Sequence, residues 1–312
     1  LKALTLNNSL VGLNALTQDQ LDAWVAIAKT RAQLGRLPDY IPLLAQTRPN
    51  TVAVQIQTTI GNTISAGEVK QPFALMSVIK PFLLLFALER LGADEVFKQV
   101  GMQPSDQPFH SLTQLSADRG HPRNPMINSG AIALASLLPG KEGASRCEGL
   151  CEWLNRLADA HLTLDQAMLT SVRSMANESN RAIANMLSQA GHLTSVETAL
   201  DTYNHICCLS GTVEDLARLG LLLASSGRIA RQHQQIVNAL MLTCGLYEAS
   251  GAFAVRVGLP TKSGVSGALL SIVPKQGAIA GYSPAIDPTG NSVAGLFLLE
   301  KLAAQLTLSV FG

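Results

Sequence analysis

Phe73–Gly92 reads FALMSVIKPFLLLFALERLG, and the rest of the chain is organised around this stretch. A short apolar run leads into a helix that carries Ser77 and Lys80 and stops at Gly92. Residues three apart share a helix face, so the serine hydroxyl and the lysine amine can meet. A serine hydroxyl is a weak nucleophile until a neighbouring base takes its proton. A lysine serves as that base only when neutral, and burial among apolar groups lowers its pKa toward that state. Val78, Ile79, Pro81, Phe82 and the leucines that follow supply such surroundings. Pro81 falls in the first turn, where its missing N–H costs nothing. Ser77, at the helix start, keeps its backbone N–H free to face a developing oxyanion. Ser-x-x-Lys alone is a common tetrapeptide, equally consistent with an ordinary helix start whose lysine reaches water. The rest of the chain has to decide.

Upstream, Thr17-Gln-Asp-Gln20 reads as a capping box opening a helix to about Leu34, closed by Gly35. Tyr40-Ile-Pro42 follows in a loop. Thr51–Thr58 alternates and is rich in β-branched residues, which predicts a strand. Gly61-Asn62 turns it back into a second strand over Thr63–Ala66. Downstream, the pattern is mostly helical from Asp94 to about Leu209. Helices are predicted from Asn128 and over Arg146–Ala160, Leu164–Ala176, Asn180–Gln189, Thr194–Leu209 and Thr212–Ser225, with another after Gly227 to Met241. Strand signals return over Ala252–Gly258, Leu269–Val273, Gly277–Tyr282 and Asn291–Leu298, before a closing helix near Glu300–Thr307. The two ends are therefore expected to share one antiparallel sheet with the helical part inserted between them. This is an α/β (α+β) organisation, with a discontinuous sheet-containing domain at 1–75 and 220–312. A mainly helical domain at 76–219 would carry the nucleophile helix.

With 312 residues, 47% of them apolar, the chain can bury a large core. A net charge of +1, 14% charged residues and no basic run argue against a nucleic-acid partner. No apolar stretch approaches the ~20 residues of a membrane span. The Leu1–Thr17 segment, broken by Asn and Gly, lacks a secretory apolar region, so a cytoplasmic location is expected. Cys147, Cys151, Cys207, Cys208 and Cys244 are too sparse for a disulfide framework, and the histidines form no ligand pair. Neither a metal nor an organic cofactor is expected.

Lys262-Ser-Gly264 lies just before the late strands. With Ser77-x-x-Lys80 it follows the order of serine enzymes that set a Lys-Thr/Ser-Gly strand beside the nucleophile. There a backbone N–H from the strand region, here Val265 or a close neighbour, completes the oxyanion hole. Further blocks run along nearly the whole chain: DYIP at Tyr40, SVIKP at Ser77, NPMINSGAIA at Asn128, NRAIA from Asn180 and DTYNHIC at Tyr203. CGLYEASGAFAVRVGLPTKSGVSG spans Tyr247 to Val265, and GYSPAIDPTGNSV follows. In these blocks the chain resembles the serine-dependent glutaminases, whose fold is like that of β-lactamases and penicillin-binding proteins.

The resemblance implies hydrolysis of L-glutamine to L-glutamate and ammonia through an acyl-enzyme on Ser77, with no cofactor. Lys80 would be the base. Tyr247 would pass the proton to the leaving amine, and the Ser77 and Val265 N–H groups would hold the oxyanion. Tyr40, Asn128, Asn180 and Tyr203 match the family's positions for the amino-acid end of the substrate. Family members form homo-oligomers, so a homodimer or homotetramer is expected. One departure stands out. The family's glutamate for the substrate ammonium, seven residues before the Asn180 position, is Arg173 here, with Glu178 nearby. Met76 replaces a glutamine frequent before the nucleophile, and Ala268 a glycine after KSGVSG. These changes leave two alternatives, an amidase of altered substrate and a non-catalytic amino-acid-binding relative. A peptidase or β-lactamase on the same fold is a further reading, less favoured without an export segment.

Overall fold

Strands from the two ends of the chain meet edge to edge. The early chain supplies β1 (Ala53–Thr58), β2 (Thr63–Gly67) and β3 (Phe73–Ala74), and the middle supplies β4 (Thr163–Leu164) and β5 (Leu209–Gly211). The late chain supplies β6 (Thr261–Ser263), β7 (Ala268–Val273) and β8 (Gly277–Tyr282). One sheet has the order β2-β1-β8-β7-β6, every pair antiparallel. Ala53 lies opposite Tyr282 and Thr58 opposite Gly277, which joins the two ends of the chain. A smaller sheet, β3-β5-β4, sits over the start of the Ser77 segment. This computed structural model describes residues 12–175, 177–225 and 227–312. The expectation drawn from the first residues of the chain, and the last residue of the expected Leu164–Ala176 helix, lie outside them.

Alternation along the strands sorts the core into two layers. Val54, Ile56, Leu269, Val273 and Ile279 share one cluster with residues of the Gln18–Arg31 and Val293–Leu306 helices. Ala53, Leu270, Ile272, Ala278 and Ala280 face the larger cluster of the helical part. The Val213–Ala224 helix lies close on that face: a side chain at Gly220 would stand 2.5 Å from the Ala278 methyl. The helix of Ser77 runs through the middle of the large cluster. A 3-10 turn over Met76–Ile79 passes into an α-helix over Lys80–Leu91, and every residue from Lys80 to Leu88 is buried. Such a helix is apolar all round, which is why its sequence shows no polar stripe.

The Thr17–Gln20 capping box is present, and its α-helix ends at Arg31 with a 3-10 turn to Leu34. Two predicted strands are helices. Ala252–Gly258 falls mostly in the Ser250–Arg256 helix, where Ser250 and Phe253 bury one face and Val255 points to solvent at 88% exposure. Asn291–Leu298 runs into the Val293–Leu306 helix, capped by Ser292, with Ala294, Leu298, Leu302 and Leu306 buried. In both, a short apolar run fits either a strand or a helix, and burial follows the 3.6-residue period. Among the described residues no single helix is long and apolar enough to cross a membrane.

Candidate active site

The small sheet fixes the nucleophile turn. Phe73 pairs with Gly211, and the Leu75 N–H donates to the Leu209 carbonyl at 2.8 Å. Met76 then takes φ 47°, a left-handed conformation that costs a side-chain-bearing residue about 1–3 kcal/mol. Ser77 follows, buried, with its N–H ahead of the turn's first internal bond, Val78 N–H to Leu75 O at 3.1 Å. The strand segment reaches this turn because position 264 is glycine: a Cβ there would stand 2.8 Å from Leu75 O and 3.3 Å from Ser77 N. The next residue, Val265, leaves its N–H without a backbone acceptor among the described residues. Ser77 and Val265 both line one cavity.

Lys80 is fully buried. Its Nζ donates to Asn128 Oδ1 at 2.8 Å and to Met126 O at 3.2 Å. Desolvation lowers its pKa from 10.5 to about 8, only partly offset by the neighbouring Cys207. A neutral amine has two N–H groups and one lone pair. Two acceptors take the two N–H groups, which leaves the lone pair for a hydroxyl proton. Asn128 links this amine to the substrate side. Its Oδ1 also accepts from the Tyr203 hydroxyl at 3.0 Å, and its Nδ2 donates to Asn180 Oδ1 at 2.9 Å. That pattern fixes the Asn128 amide orientation. Burial raises the Tyr203 pKa well above 10, so this phenol stays a donor.

Tyr247 sits at φ 56°, buried, and its hydroxyl has no hydrogen-bond partner among the described residues. Burial pushes its pKa up, while the Ser77 and Ser263 hydroxyls close by pull in the other direction. Lys262, also fully buried, places its Nζ 4.2 Å from the centre of the Tyr247 ring. That amine donates to Gly245 O at 2.9 Å and Ser263 O at 2.6 Å, and burial followed by the nearby Lys80 charge lowers its pKa strongly. Ser263 Oγ donates to Asn291 Oδ1 at 2.6 Å.

A cavity of about 410 Å³ opens over Ser77. Tyr40, Asn128, Asn180, Tyr203 and Val265 line it with Ser77, while Lys80 and Tyr247 stand behind this wall. Tyr40 is the most open of them at 47% exposure. Sequence reading missed Phe109 and His110, which also line it. The Phe109 ring lies 4.7 Å from that of Tyr247, and its carbonyl accepts from Asn128 N at 3.0 Å. No spacing marks a loop residue packed this way. Arg173 is not in the cavity wall. It closes the Gln166–Arg173 helix and donates to the Asp201 carboxylate, beside a neighbouring pocket of about 190 Å³. Glu178 does line the main cavity. Among the described residues no group of three or more His, Cys, Asp or Glu could hold a metal ion, and the five cysteines are free. The arrangement suits acyl transfer on a small amide: a hydroxyl, an amine of lowered pKa, a phenol and backbone N–H donors beside the cavity.

The sequence profile of the Glutaminase family matches residues 35–311. A glutaminase of Synechocystis sp. is 43% identical over 298 residues, covering 95% of this chain and 91% of the relative. One from Geobacillus kaustophilus is 38% identical, covering 94% and 98%. Among solved structures, a Bacillus subtilis glutaminase in covalent complex with 5-oxo-L-norleucine, formed by its reaction with 6-diazo-5-oxo-L-norleucine, superposes with a TM-score of 0.85. It is 32% identical, with 94% of this chain and 99% of that one covered.

Proposed function

This chain belongs to the glutaminase family, and on that premise we propose that it hydrolyses L-glutamine to L-glutamate and ammonia through an acyl-enzyme on Ser77. The observation that carries the reading is Lys80: a fully buried amine, depressed to a pKa of about 8, whose two N–H groups already have acceptors. Its lone pair takes the Ser77 proton as Oγ attacks the side-chain carbonyl carbon. The Ser77 and Val265 N–H groups stabilise the oxyanion. The C–N bond then breaks, and the proton reaches the departing nitrogen from Lys80 by way of the Tyr247 hydroxyl, releasing ammonia. Water, deprotonated by the same groups, opens the ester, frees L-glutamate and restores Ser77–OH.

Asn180 Nδ2 and the Tyr40 phenol serve the substrate carboxylate, and Tyr203 joins them by turning its one O–H from Asn128 Oδ1 toward the substrate. Neutral amide and phenol donors do this without placing another positive charge beside Lys80. The sheet at 1–75 and 220–312 acts as the platform that holds Val265 and Tyr247 against the helical unit at 76–219. A homo-oligomer acting in the cytoplasm completes the proposal. The test is ammonia release from L-glutamine by the purified protein, with Ser77→Ala and L-asparagine in parallel. Release that needs Ser77 and favours L-glutamine is the expected result. Undiminished release from Ser77→Ala overturns the serine mechanism, and no release from L-glutamine overturns the activity.

A further inference from the structure

We propose that Glu178, rather than any group at position 173, receives the α-ammonium of the substrate in this chain; the assignment rests on the amino-acid amide reading above. An α-amino acid brings a cation and an anion together, and its ammonium makes its strongest hydrogen bonds to a carboxylate. Around the cavity, among the described residues, Glu178 is the one carboxylate. It opens the Glu178–Gln189 helix, two residues before Asn180, so one helix start supplies both polar contacts to the amino-acid end. Ser179 Oγ donates to His110 O at 3.4 Å and ties that helix start to the loop on the opposite wall.

Electrostatics favour this placement. The neighbouring pocket holds Arg173, Arg181, Glu197 and Asp201, and its charges cancel in pairs: Arg173 with Asp201, and Arg181 with Glu197. The Glu178 carboxylate makes no ion pair with a described residue. What remains on this wall is therefore one uncancelled negative charge at the cavity edge. Arg173 offers no repulsion to an ammonium because its guanidinium lies outside the cavity and is held by Asp201. Position 173 carries a cation held outside the cavity, and position 178 the carboxylate at its edge. The preferred substrate thus keeps a free α-ammonium.

The experiment compares L-glutamine with 4-carbamoylbutanoate, the same amide without the α-amino group, in the wild type, Glu178→Gln and Glu178→Asp. Glu178→Gln keeps shape and removes charge. The expected result is a rise of about tenfold in KM for L-glutamine, a much smaller change in kcat, and a fall of about tenfold in the L-glutamine preference. Glu178→Asp recovers part of it, which a purely structural role does not require. A wild type without preference, or a preference unchanged within about twofold in Glu178→Gln, overturns the assignment. If the wild type hydrolyses neither amide, the activity reading fails by itself. Calorimetric binding of the two compounds then decides: an L-glutamine preference abolished by Glu178→Gln supports the assignment, and a retained preference or absence of binding overturns it.

Discussion

The two ends of the cavity are built in opposite ways. At the Ser77 end, Lys80, Lys262 and Ser263 are fully buried, and Met76 and Tyr247 hold left-handed backbone conformations that only surrounding contacts can maintain. Each buried amine has two oxygen acceptors, because a buried charge-capable group without partners costs several kcal/mol. At the amino-acid end, Tyr40 and Glu178 lie in the open, on a loop and a helix start. In the first region each buried amine and each left-handed turn is held by specific neighbours. The second tolerates a charged side chain at small cost, as at Arg173, whose charge Asp201 absorbs outside the cavity.

If the contrast holds, the largest effects come from the buried end. Ser77→Ala should lower kcat/KM for L-glutamine by at least about 10⁴-fold. Thermal unfolding of this variant should move little, because the Ser77 hydroxyl carries none of the structural hydrogen bonds described above. A variant retaining a tenth of the activity breaks the comparison at its centre. Lys80→Met should cost about 10³-fold, the scale of a general base, and yet leave the protein equally or more stable. The sign follows from the depressed pKa. In the folded chain Lys80 titrates near 8, against 10.5 when exposed, so between these values the unfolded chain binds the extra proton. Wild-type stability should therefore rise between about pH 8 and 10, from this group, and Lys80→Met should remove that slope in urea titrations. Wild-type kcat/KM should climb with pH through about 8 and then level off. A profile falling from pH 6 to 9 removes Lys80 as the base.

Tyr247→Phe ranks next. It should lower kcat about 10²-fold by removing a proton carrier, without lowering the melting temperature. The hydroxyl it deletes is buried and unpartnered, so its removal relieves a desolvation penalty rather than breaking a bond. The ring remains for the Lys262 amine above it. A melting temperature several degrees lower would mean that the hydroxyl has a structural partner and that this end is stabilised differently.

What the chain discloses in advance follows the same division between local and distant causes. The alternation of Thr51–Thr58, Leu269–Val273 and Gly277–Tyr282 is local, and these residues form β1, β7 and β8. The Thr17–Gln20 cap is local too. Ala252–Gly258 and Asn291–Leu298 misled because a short apolar run fits either period, and only packing against the sheet decides between them. In the cavity, sequence blocks pointed to Tyr40, Ser77, Asn128, Asn180, Tyr203 and Val265, which the fold gathers around one space. It did not disclose the left-handed backbone at Met76 and Tyr247, the amine stacked over a phenol, or the partner of Arg173. Asp201 is 28 residues beyond Arg173, on another helix, and no spacing rule connects them.

That last pair gives the smallest expected effect and the sharpest test of the open end. Arg173→Ala should change kcat/KM for L-glutamine by less than about threefold, since exposed ion pairs contribute about 0–1 kcal/mol. Both side chains are partly in water, at 47% and 38% exposure, and neither lines the catalytic cavity. The expected change is a small loss. Releasing Asp201, which keeps only His205 Nδ1 at 3.5 Å, places a carboxylate without its guanidinium beside the pocket that adjoins the amino-acid end, where it competes weakly with Glu178 for the substrate ammonium. That competition is electrostatic, so it should fade as salt screens the exposed charges. A gain of tenfold or more instead would mean that the guanidinium repels the substrate in the wild type, and that Asp201 does not neutralise it. The amino-acid end would then be as sensitive to one charge as the Ser77 end is, and the contrast between them would fail.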